Sequence, residues 1–241
     1  MKATPERAIV LSAGLGMRMR PLTETRPKPL IPVGGKPLVD WGLDALRRAG
    51  VREAVVNIYH LADMMTAHLA GRGEPHIIIS DEREALLDSG GGIAKALPYL
   101  GDKPFFVLNA DTFWIDRSED NLNRLALAWD GGRMDILILL ADPASATGHT
   151  GKLDFRMDRD GRLQRTAGGT EGYIYAGGGI LHPRLFAGAS TAPHSLNLYF
   201  DRAIAAGRMF GLPLDGHWIT VGTPDAIAPA EAVLRQLGMT S

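Results

Sequence analysis

A chain of 241 residues with 45% hydrophobic and 22% charged side chains holds enough apolar material for one sizeable α/β core and groups with globular rather than disordered proteins. Its 26 Lys and Arg against 27 Asp and Glu leave a formal net charge of −1, which gives no electrostatic reason to expect nucleic acid or an anionic membrane as a partner. There is no cysteine, so a disulfide framework and any thiolate zinc site are excluded.

The first residues, MKATPERAIVLSAG, contain no apolar stretch of signal-peptide length, and no later segment approaches a membrane span. A soluble cytoplasmic protein is the expectation. Residues 8–11, AIVL, then predict a short buried strand, closed by the small residues Ser12, Ala13 and Gly14. Gly14 and Gly16 allow backbone angles that other residues avoid and let N–H groups approach an anion, and Arg18 brings a planar cationic fork suited to phosphate oxygens. Lys28 adds a second cation, restrained between Pro27 and Pro29. The segment reads as a phosphate-handling loop, with an ordinary strand-to-loop turn carrying solvated arginines as the alternative. A Walker loop is excluded because Gly-Lys-Ser/Thr is missing, and a dinucleotide fingerprint because no third glycine opens a helix.

Further on, the pattern predicts a helix over 37–48, a strand over 54–58, a helix over 62–69, a strand over 76–79, a helix over 91–97 and a strand over 105–108. Such alternation implies right-handed crossovers, a mostly parallel sheet, and ligands outside the carboxyl ends of its strands. The run 88–93, DSGGGI, falls before a helical stretch, where three glycines would let a base or sugar approach the backbone; a flexible turn is the alternative. Asp111 ends the run PFFVLNAD, so a parallel strand would deliver it into the same crevice as the loop after residue 11, although an aspartate after a strand also serves as a cap.

A helix over 119–129 and a strand over 135–140 follow. Between 148 and 180 short segments at 152–157, 162–165 and 173–175 alternate with glycine-rich turns, which predicts a small antiparallel annex. Helices return over 195–206 and 224–237.

Gly14-x-Gly16-x-Arg18, Pro21-Leu22-Thr23, Pro27-Lys28-Pro29-Leu30, Pro32-Val33 and Gly35-Lys36-Pro37-Leu38, in that succession, resemble the signature of the sugar-1-phosphate nucleotidyltransferases, or nucleotide-sugar pyrophosphorylases. Ala13-Gly14 stands where the family usually has Gly-Gly, and Met17 where it has threonine. The resemblance implies a single domain over 1–241, built as a Rossmann-like, mostly parallel sheet flanked by helices. A nucleotide-binding core would occupy about residues 1–145 and a sugar-binding portion about 146–241. It implies magnesium-dependent transfer of a nucleoside monophosphate from a nucleoside triphosphate to a sugar 1-phosphate, with release of pyrophosphate.

Carried over by position, the resemblance assigns nucleotide contacts to Ala13, Gly14, Leu15, Gly16, Met17, Arg18, Lys28, Gly90, Gly91 and Asn109. Arg18 would hold the leaving pyrophosphate, Lys28 would bridge the reacting phosphates, and Asp111 would hold magnesium. Asn109, Gly151, Lys152, Asp154, Tyr175 and Gly177 would line the sugar pocket. Arg162-Leu163-Gln164-Arg165 stands where many relatives carry a Glu-Lys pair. The segment 216–224 resembles the late motif Trp-x-Asp-x-Gly-Thr-Pro, with Thr220 replacing an aspartate that is normally the second carboxylate on the metal.

The Ser89-to-Ile93 form is most similar to the N-acetylmuramate-1-phosphate uridylyltransferases of cell-wall recycling, so UTP and N-acetylmuramate 1-phosphate are the expected pair. Lys152 is then the expected partner of the lactyl carboxylate. A mannose-1-phosphate guanylyltransferase, or another hexose-1-phosphate nucleotidyltransferase, is the alternative within the class. A non-catalytic nucleotide or sugar-phosphate sensor, suggested by Thr220, is the alternative outside it.

Overall fold

The computed structural model describes residues 4–166, 168 and 171–239. Strand β1 (Arg7–Leu11) leads through three short 3-10 turns into the two-residue strands β2 (Pro32–Val33) and β3 (Lys36–Pro37). Then α1 (Leu38–Arg48), β4 (Glu53–Ile58), α2 (Ala62–Ala70), β5 (His76–Asp81), α3 (Asp88–Leu100) and β6 (Phe105–Asn109) alternate as the sequence pattern predicts. They are followed by β7 (Thr112–Asp116), α4 (Asn121–Ala128), β8 (Ile136–Ala141), β9 (Ala146–Thr147), β10 (Phe155–Met157) and β11 (Leu163–Arg165). The chain ends with β12 (Ile174–Leu181), α5 (Asn197–Ala205), β13 (Met209–Pro213), β14 (Gly216–Thr220) and α6 (Ile227–Gln236).

Seven strands form the main sheet in the order β13-β8-β12-β6-β1-β4-β5. Every neighbouring pair is parallel except those made by β12, which runs antiparallel to both β6 and β8. Strands such as β8, buried at all six positions, need cover on both faces, which is why they read as unbroken apolar runs. Val10, Val56 and Leu108 pack with Leu43, Met65 and Leu122 from α1, α2 and α4. On the opposite face Ile9, Val55 and Val107 pack with Ile93, Tyr199 and Phe200 from α3 and α5. This alternation along each strand is the two-residue pleat expressed as two cores.

A third cluster joins Met19, Ile31, Trp41, Phe113, Ile219 and Leu234, with Trp41 stacked on Phe113 at 4.6 Å. It fastens the loop after β1 to the smaller β7-β14-β9 sheet. Among the described residues no helix is long and apolar enough to cross a membrane.

The second half departs from the sequence pattern. Residues 173–175, expected in the annex, lead into an eight-residue strand that enters the middle of the main sheet. Ala176-Gly177-Gly178-Gly179 suggests a turn, yet the glycines serve a bulge between Tyr175 and Gly179, with Gly177 at φ +77° and the Trp114 ring close against Gly178. The sequence pattern does not separate β7, β13 and β14 from loop. The main sheet thus takes β12 and β13 from beyond residue 146, and the small sheet joins β7 to β9 and β14. The antiparallel hairpin β10-β11 is the part of the annex found where the glycine-rich turns place it.

Candidate active site

The carboxyl ends of β1, β4 and β5 are tied together by buried polar groups. Asn57, closing β4, accepts from Ser12 N at 2.7 Å through Oδ1, and its Nδ2 donates to Glu82 Oε1 at 2.8 Å. Ser12 Oγ donates to Asn57 O, and Glu82 Oε2 accepts from Leu87 N at 3.1 Å. Glu82 is only 1% exposed, and burial raises its pKa above the usual carboxylate range despite these bonds. The sequence reading missed Asn57 and Glu82; the available signal was a polar residue at the end of an apolar strand run.

From this anchor the phosphate loop turns outward. Gly16 adopts φ +63°, and a Cβ there would lie 2.8 Å from Thr23 Cγ2, so glycine is required by both conformation and space. Gly16 O accepts from Met19 N at 2.8 Å and from Thr23 Oγ1 at 2.9 Å. Ala13 is buried, whereas Gly14, Leu15, Met17 and Arg18 are exposed along the crevice rim. A Cβ on Gly14 would meet nothing within 4 Å, so no protein packing requires glycine there. Arg18 forms no side-chain hydrogen bond or ion pair with the described residues; its guanidinium lies over Gly222, beyond β14.

Lys28, buried between Pro27 and Pro29, reaches across the crevice, and its Nζ lies 2.6 Å from Asp111 Oδ2. Asp111 follows Asn109, the last residue of β6, and its backbone is held from two sides: Ala110 N donates to Leu11 O at 3.1 Å, and Val221 N donates to Asp111 O at 3.1 Å. Thr220 pairs with Thr112 at the end of β14, next to this turn.

A cavity of about 290 Å³ opens beside Asp111 and Asn109, with Tyr175, Asp154, His149, Arg165, Asn197 and Thr220 in its walls. Gly177 packs against Asn109 and Thr112, behind that wall. Asp154 Oδ2 accepts from Tyr175 N at 2.8 Å, which fixes the start of β12. The Tyr175 hydroxyl and His149 Nε2 are both buried without a hydrogen-bond partner among the described residues. Burial, with Asp154 adding to it, raises the Tyr175 pKa well beyond the phenolic range, so the hydroxyl stays a donor. Gly151 and Lys152 are exposed and stand outside the cavity walls, against expectation. Among the polar wall residues, Thr112, Arg165 and Asn197 carry no assignment to it from the sequence, whereas His149 lies in the segment 148–155 that the family resemblance places at the sugar pocket.

Gly90 and Gly91 also differ from expectation. They lie within the first turn of α3, not in a loop before it, and both N–H groups donate to His194 O, at 2.8 and 3.2 Å. A Cβ on Gly91 would come within 2.6 Å of Ala192 O, and one on Gly90 within 2.6 Å of the His194 ring. Their lack of side chains admits the 192–194 segment, and in this structure their N–H groups are engaged by protein rather than facing a nucleotide.

A cavity of about 350 Å³ lies at the other end of the strands, near Arg7, Leu100, Lys103 and Trp129. It is remote from the strand carboxyl ends where an α/β sheet gathers its ligands.

The sequence profile of the MobA-like NTP transferase domain matches residues 8–205. The chain belongs to this family. Within it, the protein is 42% identical to the N-acetylmuramate alpha-1-phosphate uridylyltransferase of Caulobacter vibrioides, over 98% of this chain and 100% of that relative. It is 34% identical to the enzyme of the same name from Neisseria meningitidis serogroup B, over 94% and 97% of the two chains. The fold matches the inositol-1-phosphate CTP transferase of T. maritima with a TM-score of 0.78 at 16% identity, covering 99% of this chain and 97% of that one.

MobA-like NTP transferases generally depend on a divalent metal. Among the described residues no three His, Asp or Glu side chains converge as a preformed metal cage. The oxygen donors of Asp111 and Thr220 fit a magnesium ion that takes most of its ligands from phosphate and water.

Proposed function

We propose that the protein transfers UMP from UTP to N-acetylmuramate 1-phosphate, forming the UDP-sugar and pyrophosphate in a magnesium-dependent reaction. The observation that carries this reading is the Lys28–Asp111 pair at the strand ends, opening directly onto a polar cavity sized for one sugar. The near-full-length likeness to two uridylyltransferases supports the choice of base and sugar.

In the proposed reaction a phosphate oxygen of the sugar 1-phosphate attacks the α-phosphorus of UTP. The bond from that phosphorus to the α,β-bridging oxygen breaks, and the electron pair leaves with pyrophosphate. The attacking oxygen is already anionic, so neither a general base nor a covalent nucleophile is needed. Bringing two anions together is the main obstacle, and positioning with charge neutralisation lowers it.

The loop from Ala13 to Arg18 receives the triphosphate, and Arg18, whose side chain bonds to no described residue, holds the departing pyrophosphate. Lys28 turns from Asp111 to the reacting phosphates. Magnesium, held by Asp111 and the phosphates, would supply charge neutralisation at the α-phosphate. Asn109, Asp154, Tyr175 and Gly177 support or line the sugar side. We place the reaction in the cytoplasm, in the reuse of cell-wall sugars.

Pyrophosphate release, measured for each nucleoside triphosphate paired with several sugar 1-phosphates, tests the reading. Highest kcat/KM with UTP and N-acetylmuramate 1-phosphate is expected. Preference for GTP with mannose 1-phosphate would overturn the substrates, and ligand binding without pyrophosphate release would point to a sensor.

A further inference from the structure

We propose that Arg165 recognises the lactyl carboxylate of the sugar and so sets the preference for N-acetylmuramate 1-phosphate over N-acetylglucosamine 1-phosphate. This assignment rests on the substrate reading above. The two sugars differ by a lactyl ether at O3, which adds one carboxylate. Favouring the sugar that carries it calls for a positioned cation, because burying an unpaired carboxylate is costly.

Among the described residues, Arg165 is the one arginine or lysine in the walls of the sugar cavity. Lys152, the candidate from sequence, is exposed and outside those walls. The remaining wall charges, Asp111 and Asp154, would repel an anion, so the neighbourhood of Arg165 is where a ligand carboxylate is best accommodated.

The guanidinium is held in place before any ligand arrives. Nε donates to Asp201 Oδ1 at 2.9 Å and Nη2 donates to Asn197 Oδ1 at 2.7 Å. The group lies 4.8 Å from the Phe155 ring centroid and 5.8 Å from that of Phe200. Stacking and two hydrogen bonds fix the plane of the fork, while Nη1 donates to no described residue. The ion pair with Asp201 is open to solvent, with side-chain exposures of 37% and 62%, so it leaves much of the positive charge available.

The position also suits the ring. Asp111 enters the cavity walls from the turn after β6, and Arg165 and Asn197 enter them from the end of β11 and the first turn of α5, so one cavity offers separate elements to the phosphate and to the ring substituents of a sugar. The Tyr175 hydroxyl and His149 Nε2, without a partner among the described residues, belong to the same walls and supply polar partners for ring substituents. Buried polar atoms without partners mark a surface built for a polar ligand.

The test compares wild type, Arg165→Gln and Arg165→Lys with both sugar 1-phosphates at saturating UTP and magnesium, with UTP calorimetry on each variant to verify a folded nucleotide site. Arg165→Gln should lower kcat/KM for the muramate ester by about 100-fold, mainly through KM, and for the glucosamine ester by less than about threefold. Arg165→Lys should recover part of the loss. Equal losses on both esters would overturn the assignment and indicate a contact to the shared phosphate or a structural role. A wild type that prefers the muramate ester, with the preference intact in Arg165→Gln, would overturn this assignment alone. A wild type that prefers the glucosamine ester would overturn the substrate reading and the assignment with it.

Discussion

Lys28 Nζ and Asp111 Oδ2 stand 2.6 Å apart, joining the phosphate loop after β1 to the turn after β6. The two side chains pair directly across the crevice. On the proposed reading, a nucleotide entering with its metal would separate them, the ammonium going to phosphate and the carboxylate to magnesium. The two residues therefore act as one unit, and effects within such units are strongly non-additive. Lys28→Ala should lower kcat by about 100- to 1,000-fold and Asp111→Asn should nearly abolish turnover, while the double variant should be little worse than Asp111→Asn. Steady-state rates of the three proteins check this; fully multiplicative losses would show that the side chains work independently.

Arg18 offers a cleaner separation of catalysis from folding. Its side chain is exposed and bonds to no described residue, so Arg18→Ala should change stability by no more than about 0.5 kcal/mol. Turnover should fall by about 100- to 1,000-fold if the guanidinium meets charge developing on pyrophosphate. Urea melts and pyrophosphate release on the same preparation read both quantities. A folded variant with near-normal turnover would remove Arg18 from the reaction.

Gly91 behaves differently from a glycine facing open space. Valine there would meet Ala192 O, which a Cβ alone would approach to 2.6 Å, and backbone cannot yield as a flexible side chain can. Gly91→Val should cost about 1–3 kcal/mol in urea melts, the usual range for overpacking. Unchanged stability with weakened UTP binding would return Gly91 to the nucleotide wall.

The ordering of the first half was legible because each strand buried on both faces is a short apolar run and each helix shows one apolar stripe, as in AIVL and FFVL. The meeting of the Lys28 loop with the turn after β6 was legible for a different reason: Gly16, Pro27, Lys28 and Pro29 are residue types that few other local structures require in that order. What escaped notice depends on long-range contact. The bulge in β12 needs glycine because Trp114 and Ile138 pack there, yet triple glycine in sequence resembles a turn. Gly90 and Gly91 resemble a ligand loop, yet they make room for residues about 100 positions away. Arg165 and Asn197 come from separate elements whose meeting no local pattern encodes.

The Glu82 carboxyl predicts a pH dependence of stability. Burial raises its folded pKa above the ordinary value of 4.5, against the hydrogen bonds from Asn57 and Leu87 and the charge of Lys95. The folded state thus holds its proton to higher pH than the unfolded chain. The associated stability is complete below the unfolded pKa and is lost as pH rises through the folded one. Glu82→Gln removes the titration, at some cost in baseline stability because a carboxamide has one acceptor oxygen for Asn57 and Leu87 N. Urea melts from about pH 4.5 to about pH 8 should show wild type losing stability relative to Glu82→Gln as pH rises. Parallel curves would place the titration elsewhere.

Thr220 supplies the last test, through the metal. It stands opposite Thr112 at the end of β14, one residue before the amide that donates to Asp111 O, and it shares the cavity wall with Asp111. A hydroxyl there contributes an oxygen but no negative charge, and the nearby carboxylate is engaged by Lys28. Magnesium should consequently bind weakly to the protein alone and much more tightly once UTP supplies phosphate oxygens and displaces Lys28. Thr220→Asp adds charge at the reaction end of the cavity without touching the main sheet, and should lower the magnesium concentration for half-maximal rate by about three- to tenfold. The measurement is a magnesium titration of initial rate at fixed UTP, accompanied by calorimetry of magnesium with and without nucleotide. An unchanged requirement in folded Thr220→Asp would place the metal away from the Asp111–Thr220 corner, and tight magnesium binding by wild type without UTP would show that Lys28 does not hold Asp111 against it.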